Sequence, residues 1–154
     1  MSKSIKQLFS PLRPIDRTIE KVIDYYAQDE ERLAREISEY EITENIESCF
    51  RKFLEVFREG VEGVNVPEVG IWVSGFYGSG KSSFTKYLGA ALDPNKKVHG
   101  KLFLDLLCER FTRNEIPAML RTISKKHPTA VIMLDLGAEQ LVENTAAAVS
   151  TVLY

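Results

Sequence analysis

The chain has 154 residues, 44% of them hydrophobic and 27% charged, enough apolar content for one packed core and too short for several large domains. Twenty Lys and Arg against 22 Asp and Glu give a formal charge of −2 and a pI near 5.8, which excludes the strongly basic footprint of a free-standing nucleic-acid binder. The first thirty residues lack the apolar core of a signal peptide, and no run approaches the ~18 apolar residues of a spanning helix, so no membrane insertion is expected.

Residues 1–15 are polar and punctuated by Pro11 and Pro14, after which Asp16 offers a helix N-cap. Ile19, Val22, Ile23 and Tyr26 recur at helical spacing, and Leu33, Ile37 and Tyr40 do so again behind the acidic stretch Asp29–Glu31. The clearest helix starts at Thr43, with Glu44 and Glu47 in its first turn. It runs through Ile46, Phe50, Phe53, Leu54 and Phe57 to Gly60, where glycine can end a helix in left-handed geometry. Its aromatic stripe has the spacing that burial requires and predicts core. Cys49 and Cys108 sit in helix-like stretches without CxxC spacing, so neither a disulfide framework nor a zinc site can be drawn, and a reducing cytoplasm is expected.

Residues 60–68 carry two glycines and a proline and read as a connector, dividing a helical module over 1–66 from a second unit over 67–154. Val69–Ser74, with Trp72 in the core, predicts a strand buried on both faces. A glycine-rich turn then leads into a helix from Ser82 to Leu92, with Phe84, Leu88 and Ala91 on one face. Beyond a Lys96-Lys97 loop come helices over Leu102–Phe111 and Pro117–Lys126, a second strand over Ala130–Leu136, and a final helix from Glu139. This β-α-α-α-β-α order predicts an α/β fold, a partial parallel sheet with helices packed on it. Two strands make an incomplete sheet, and the chain stops at Tyr154 inside a helix, so a longer parent protein is expected.

Gly75-Phe76-Tyr77-Gly78-Ser79-Gly80-Lys81-Ser82 fits G-x-x-x-x-G-K-[ST] and lies between the predicted strand and helix, the context that this phosphate-binding motif requires. Gly75, Gly78 and Gly80 lack a Cβ, which lets the backbone turn successive N–H groups toward a polyphosphate. The N-terminus of the following helix adds free N–H groups and a positive dipole end. Lys81 supplies a mobile charge for the β- and γ-phosphates of ATP and is the candidate catalytic residue, while the Ser82 hydroxyl can enter the shell of Mg²⁺. Ser83 follows as a first-turn cap partner.

Hydrolysis of ATP also needs a carboxylate at the end of another strand to organise Mg²⁺. Asp135, which ends the apolar run Val131–Leu134, is the one candidate; Leu136 behind it favours a strand-to-helix loop instead, with Glu139 and Glu143 as ordinary first-turn residues. His99 and His127 stand in polar contexts beside lysines and read as surface residues. Phe76 and Tyr77 are placed to stack on a nucleotide base or a partner. GTP specificity finds no support, because Asn95-Lys96-Lys97-Val98 lacks the Asp of N-K-x-D.

Arg13-Pro14-Ile15-Asp16-Arg17, Glu36-Ile37-Ser38-Glu39-Tyr40-Glu41-Ile42-Thr43 and the run Gly75 to Phe84 together resemble the N-terminal end of the BrxC/PglY-type P-loop ATPases of bacteriophage exclusion (BREX) systems. The resemblance covers the whole chain and extends to Asp135-Leu136-Gly137-Ala138-Glu139. It implies a fragment of a large AAA+-like P-loop NTPase with a cytoplasmic role in bacterial anti-phage defence. The implied partners are other proteins of the exclusion system, including a methyltransferase and a phosphatase-like protein. Any DNA contact would come through the full-length assembly, and self-association is expected from unpaired sheet edges and apolar helix faces. The leading functional expectation is an ATP-binding and ATP-hydrolysing module. The alternative is a nucleotide-gated scaffold that binds ATP without efficient hydrolysis and works by partner recognition.

Overall fold

The computed structural model describes residues 29–63 and 70–134. The proline-punctuated lead, the helix expected after Asp16, Asp135 and the helix expected after Glu139 lie outside the described residues. Helix α1 (Glu30–Glu39) is started by Asp29, whose side chain accepts hydrogen bonds from the N–H groups of Glu31 and Arg32, with Glu30 and Glu31 in its first turn. It buries Leu33 and Ile37. Helix α2 (Glu44–Val61) is capped by Thr43, which accepts from the N–H of Ile46, and buries Phe50 and Leu54. It runs through Gly60; the left-handed residue beyond its end is Gly63, with φ 70°.

Helix α3 (Lys81–Leu92) follows the glycine loop and buries residues around most of its circumference: Phe84, Lys86, Tyr87, Leu88, Ala90, Ala91 and Leu92. Strands β1 (Lys97–Val98) and β2 (Lys101–Leu102) then pair antiparallel, Lys97 opposite Leu102 and Val98 opposite Lys101. The hairpin turn is His99-Gly100, both at positive φ (49° and 77°), as a two-residue turn matched to strand twist requires. Helix α4 (Phe103–Cys108) and helix α5 (Glu115–Lys126) complete the order, the latter with Lys125 and Lys126 at its negative end.

All five helices feed one core. Phe50, Leu54, Val98, Phe103, Leu107, Ile116 and Leu120 are fully buried, with α3 against α4 and α2 against α5. Phe50 sits at the centre, its ring 4.7 Å from that of Phe84 on α3 and 5.3 Å edge-on from that of Phe111. The aromatic stripe of the second helix is therefore core on its Phe50 and Leu54 side, while Phe53 and Phe57 stack on each other at 5.7 Å at the margin. Polar links tie the periphery: Arg51 to Glu115, Arg110 Nε to the Tyr40 carbonyl at 2.9 Å, and Lys126 to Glu62 at 2.6 Å.

The expected α/β fold, a P-loop NTPase (AAA+-like) parallel sheet, is not what the described residues form. They are mostly helical, and their sheet is the two-stranded antiparallel hairpin. Residues 70–76 and 128–134 form neither helix nor strand and join no ladder among the described residues. The physical reason is that β-branched composition favours a pleated, half-buried surface and does not itself supply a neighbour to pair with. Trp72, expected in the core, is 89% exposed. Residues 131 and 133 pack side chains on a helix instead of pairing backbone: a Cβ at Gly89 of α3 would overlap Met133 Cε and lie 3.3 Å from Val131 Cγ1. The hairpin falls where a Lys96-Lys97 loop was expected, and α4 is shorter than the expected 102–111.

Two outcomes follow from this core. Phe50→Ala should lower unfolding free energy by about 3–5 kcal/mol, read from a urea midpoint, because a central ring leaves a cavity that its neighbours cannot fill. Cys49 is exposed, whereas Cys108 is buried with its thiol pushed up to about 11, chiefly by burial. A maleimide at neutral pH should therefore label one thiol in the folded protein and the second only in denaturant.

Candidate functional site

The loop over 75–80 is shaped by its own glycines. Gly78 and Gly80 have φ of 77° and 83°, a region L side chains rarely adopt. Ser79 N–H donates to the Phe76 carbonyl at 3.2 Å, curling the loop back. A Cβ on Gly75 would lie 2.8 Å from Ser79 Oγ, so the first glycine of the motif is where the loop closes on itself.

Gly80 is also the N-cap of α3, and the first helical bond runs from Phe84 N–H to the Gly80 carbonyl at 2.9 Å. Helices α1 and α2 satisfy their first-turn N–H groups with Asp29 and Thr43 and carry glutamates there. Helix α3 has no side-chain cap and no acidic residue in its first turn. Among the described residues no side chain caps its leading N–H groups, the end of a helix whose dipole favours negative charge.

Lys81 folds back over the loop. Its Nζ donates to the Gly75 carbonyl at 2.9 Å and to the Phe76 carbonyl at 2.7 Å. An ammonium has three donors, and two of those of Lys81 are engaged by the loop carbonyls. Ser82 is exposed in the first turn, while Ser83 is partly buried. Among the described residues no group of three or more His, Cys, Asp or Glu side chains gathers to hold a metal. Ser82 is thus the loop's own candidate ligand for Mg²⁺, alongside the phosphates themselves. The expected site residues Gly75, Phe76, Tyr77, Gly78, Ser79, Gly80, Lys81, Ser82 and Ser83 come together in one exposed turn; Asp135 lies outside the described residues.

Phe76 is 90% and Tyr77 100% exposed, so neither contributes to the core. His99 is exposed, its N–H donating to Glu30 Oε2 at 2.9 Å, and His127 is half-buried at the end of α5. A groove of about 400 Å³ between α1, the hairpin and α4 is lined by Ile37, Val98, Leu106 and Arg110, and no residue of the loop borders it. Sequence reasoning passed over Lys86, a buried lysine on α3 that bonds Glu36 of α1. Its one visible signal is a lysine among Phe84, Tyr87 and Leu88 in the apolar stretch of the helix.

No protein-family model and no solved structure matches the chain. No helix among the described residues is long and apolar enough to cross a membrane.

The loop geometry sets a paired expectation. Gly80→Ala places a Cβ in left-handed backbone and should cost about 1–2 kcal/mol. Gly60→Ala, inside α2 with nothing within 4 Å of the new carbon, should stabilise by about 0.5–1 kcal/mol. Denaturant midpoints of the two variants should therefore shift in opposite directions.

Proposed function

We propose that residues 75–83 bind the polyphosphate tail of ATP with Mg²⁺, and that the protein is the ATP-binding and ATP-hydrolysing module of a bacterial anti-phage defence protein. It would act in the cytoplasm with other phage-exclusion proteins, as the resemblance to BrxC/PglY-type ATPases implies. The observation that carries the reading is the conjunction of three features in one turn: two left-handed glycines, a helix start without a cap of its own, and Lys81 held over the loop carbonyls.

The residues would divide the work as follows. The amides after Gly78 and those opening α3 would cradle phosphate oxygens, where the helix dipole favours negative charge. Lys81 would give one or more donors to the β- and γ-phosphates, and Ser82 would hold the metal. Mg²⁺, when bound, supplies neutralisation of phosphate charge and orients the leaving oxygens. A nucleotide-gated scaffold without efficient turnover is the second reading. It is favoured by the shared core, in which Leu33, Ile37, Phe50 and Leu54 of the front helices join the buried residues of α3.

Lys81→Ala should weaken Mg–ATP binding by about 1.5–3 kcal/mol, or about ten- to 150-fold in Kd by calorimetry. Equal affinity in wild type and variant would count against the loop. Binding that needs Lys81 while no phosphate is released would decide for the scaffold reading.

A further inference from the structure

Lys86 is the buried charged side chain of the described core, 5% exposed. Its Nζ lies 2.7 Å from Glu36 Oε2, and Arg32 Nε donates to Glu36 Oε1 at 3.1 Å. The carboxylate on α1 thus holds one cation from its own helix and one from α3. Beside them, burial and then the Glu36 charge hold the Tyr87 phenol well above its usual range, and the Tyr40 ring packs edge-on against Tyr87 at 4.7 Å.

A buried ion pair is weak support for stability, since apolar residues of like volume often serve as well; its best-attested use is to fix register. Apolar packing holds α3 in the core, and the ion pair adds a directional contact between α3 and α1 that depends on both partners' exact place. Phe84, Leu88, Ala90, Ala91 and Leu92 are apolar around the helix, and apolar packing is non-directional. A slide or rotation of α3 that kept those contacts would strand Lys86 from Glu36 in the interior. Lys86 lies about 7.5 Å along the axis from Lys81, so the link fixes the end of the helix that carries the loop.

We infer that Lys86 and Glu36 are positioning residues for the polyphosphate loop: their buried link sets the place of α3 against α1, and so the direction in which Gly80, Lys81 and Ser82 present their donors. The inference rests on the ATP-binding reading of the loop. It also makes α1 sense occupation of the loop, because coupling between two sites is reciprocal.

The test uses wild type, Lys86→Arg, Lys86→Met and the double variant Glu36→Leu with Lys86→Met. Mg–ATP is titrated against the emission of Trp72, the single tryptophan, three residues before the loop, and thermal melts are run in parallel. The double variant should melt within a few degrees of wild type yet bind about tenfold more weakly, and Lys86→Arg should recover most of that loss. Wild-type affinity in every folded variant overturns the inference while leaving the loop reading intact. Failure of wild type itself to bind overturns the loop reading and the inference with it. Amide exchange in wild type needs no variant: Mg–ATP should slow exchange over residues 33–39 of α1, and unchanged exchange there, with binding established, also overturns the inference.

Discussion

The burial of α3 is the constraint from which the remaining geometry follows. A helix enclosed around most of its circumference by α1, α2, α4 and α5 cannot tilt or fray at its first turn without disturbing Phe84, whose ring contacts Phe50 at 4.7 Å. The glycine loop is attached to that first turn. An exposed loop of this composition would by itself sample many conformations. Anchored to the helix start, the loop also has Ser79 N–H on the Phe76 carbonyl and Lys81 Nζ on two carbonyls, contacts that restrict it. Preorganisation of this kind is what anion recognition by backbone N–H groups needs.

The helices of the chain are started by different means. Asp29 and Thr43 close α1 and α2 with side-chain oxygens, and glutamates in both first turns complement the dipole internally. Gly80 has no side chain with which to do so. That end of α3 therefore keeps an electrostatic demand that the chain meets elsewhere, and Lys81 adds positive charge to it. Lys86, the buried cation among the described residues, sits a turn and a half further along the same helix and is paired with Glu36. Lys86 is thus paired with a carboxylate in the interior, whereas Lys81 is held by the backbone carbonyls of Gly75 and Phe76 at the surface.

Elements with local causes were legible in the sequence. Asp29 with its glutamates, Thr43 with Ile46 and Phe50, and Gly80-Lys81 ahead of Phe84 each specify a helix start through contacts within four residues, and those helices appear where the pattern puts them. The strands were misread because a run such as Ile71-Trp72-Val73 records suitability for a sheet and not the presence of a partner. Residues 131 and 133 show the alternative use of such a run, packing at Gly89 of α3. The hairpin was hidden because His99 occupies the first left-handed position, where Asn or Asp would have announced the turn. The Lys86–Glu36 link joins residues fifty positions apart, and nothing in local pattern relates them.

The reading proposed for the loop does not depend on a parallel sheet, for a physical reason. A parallel sheet orders several strand ends side by side and so brings catalytic groups from distant segments to one crevice. The cradle itself needs none of that. Positive φ at Gly78 and Gly80, the uncapped first turn of α3 and the return of Lys81 are all set within seven residues, and each would be present on any scaffold that held the helix start still. Here the scaffold is a helical core with a buried ion pair keying α3 to α1. The proposed binding of a polyphosphate would draw only on this local geometry. Hydrolysis would need in addition a carboxylate and a water-positioning group, so in the proposed function binding and turnover are separable.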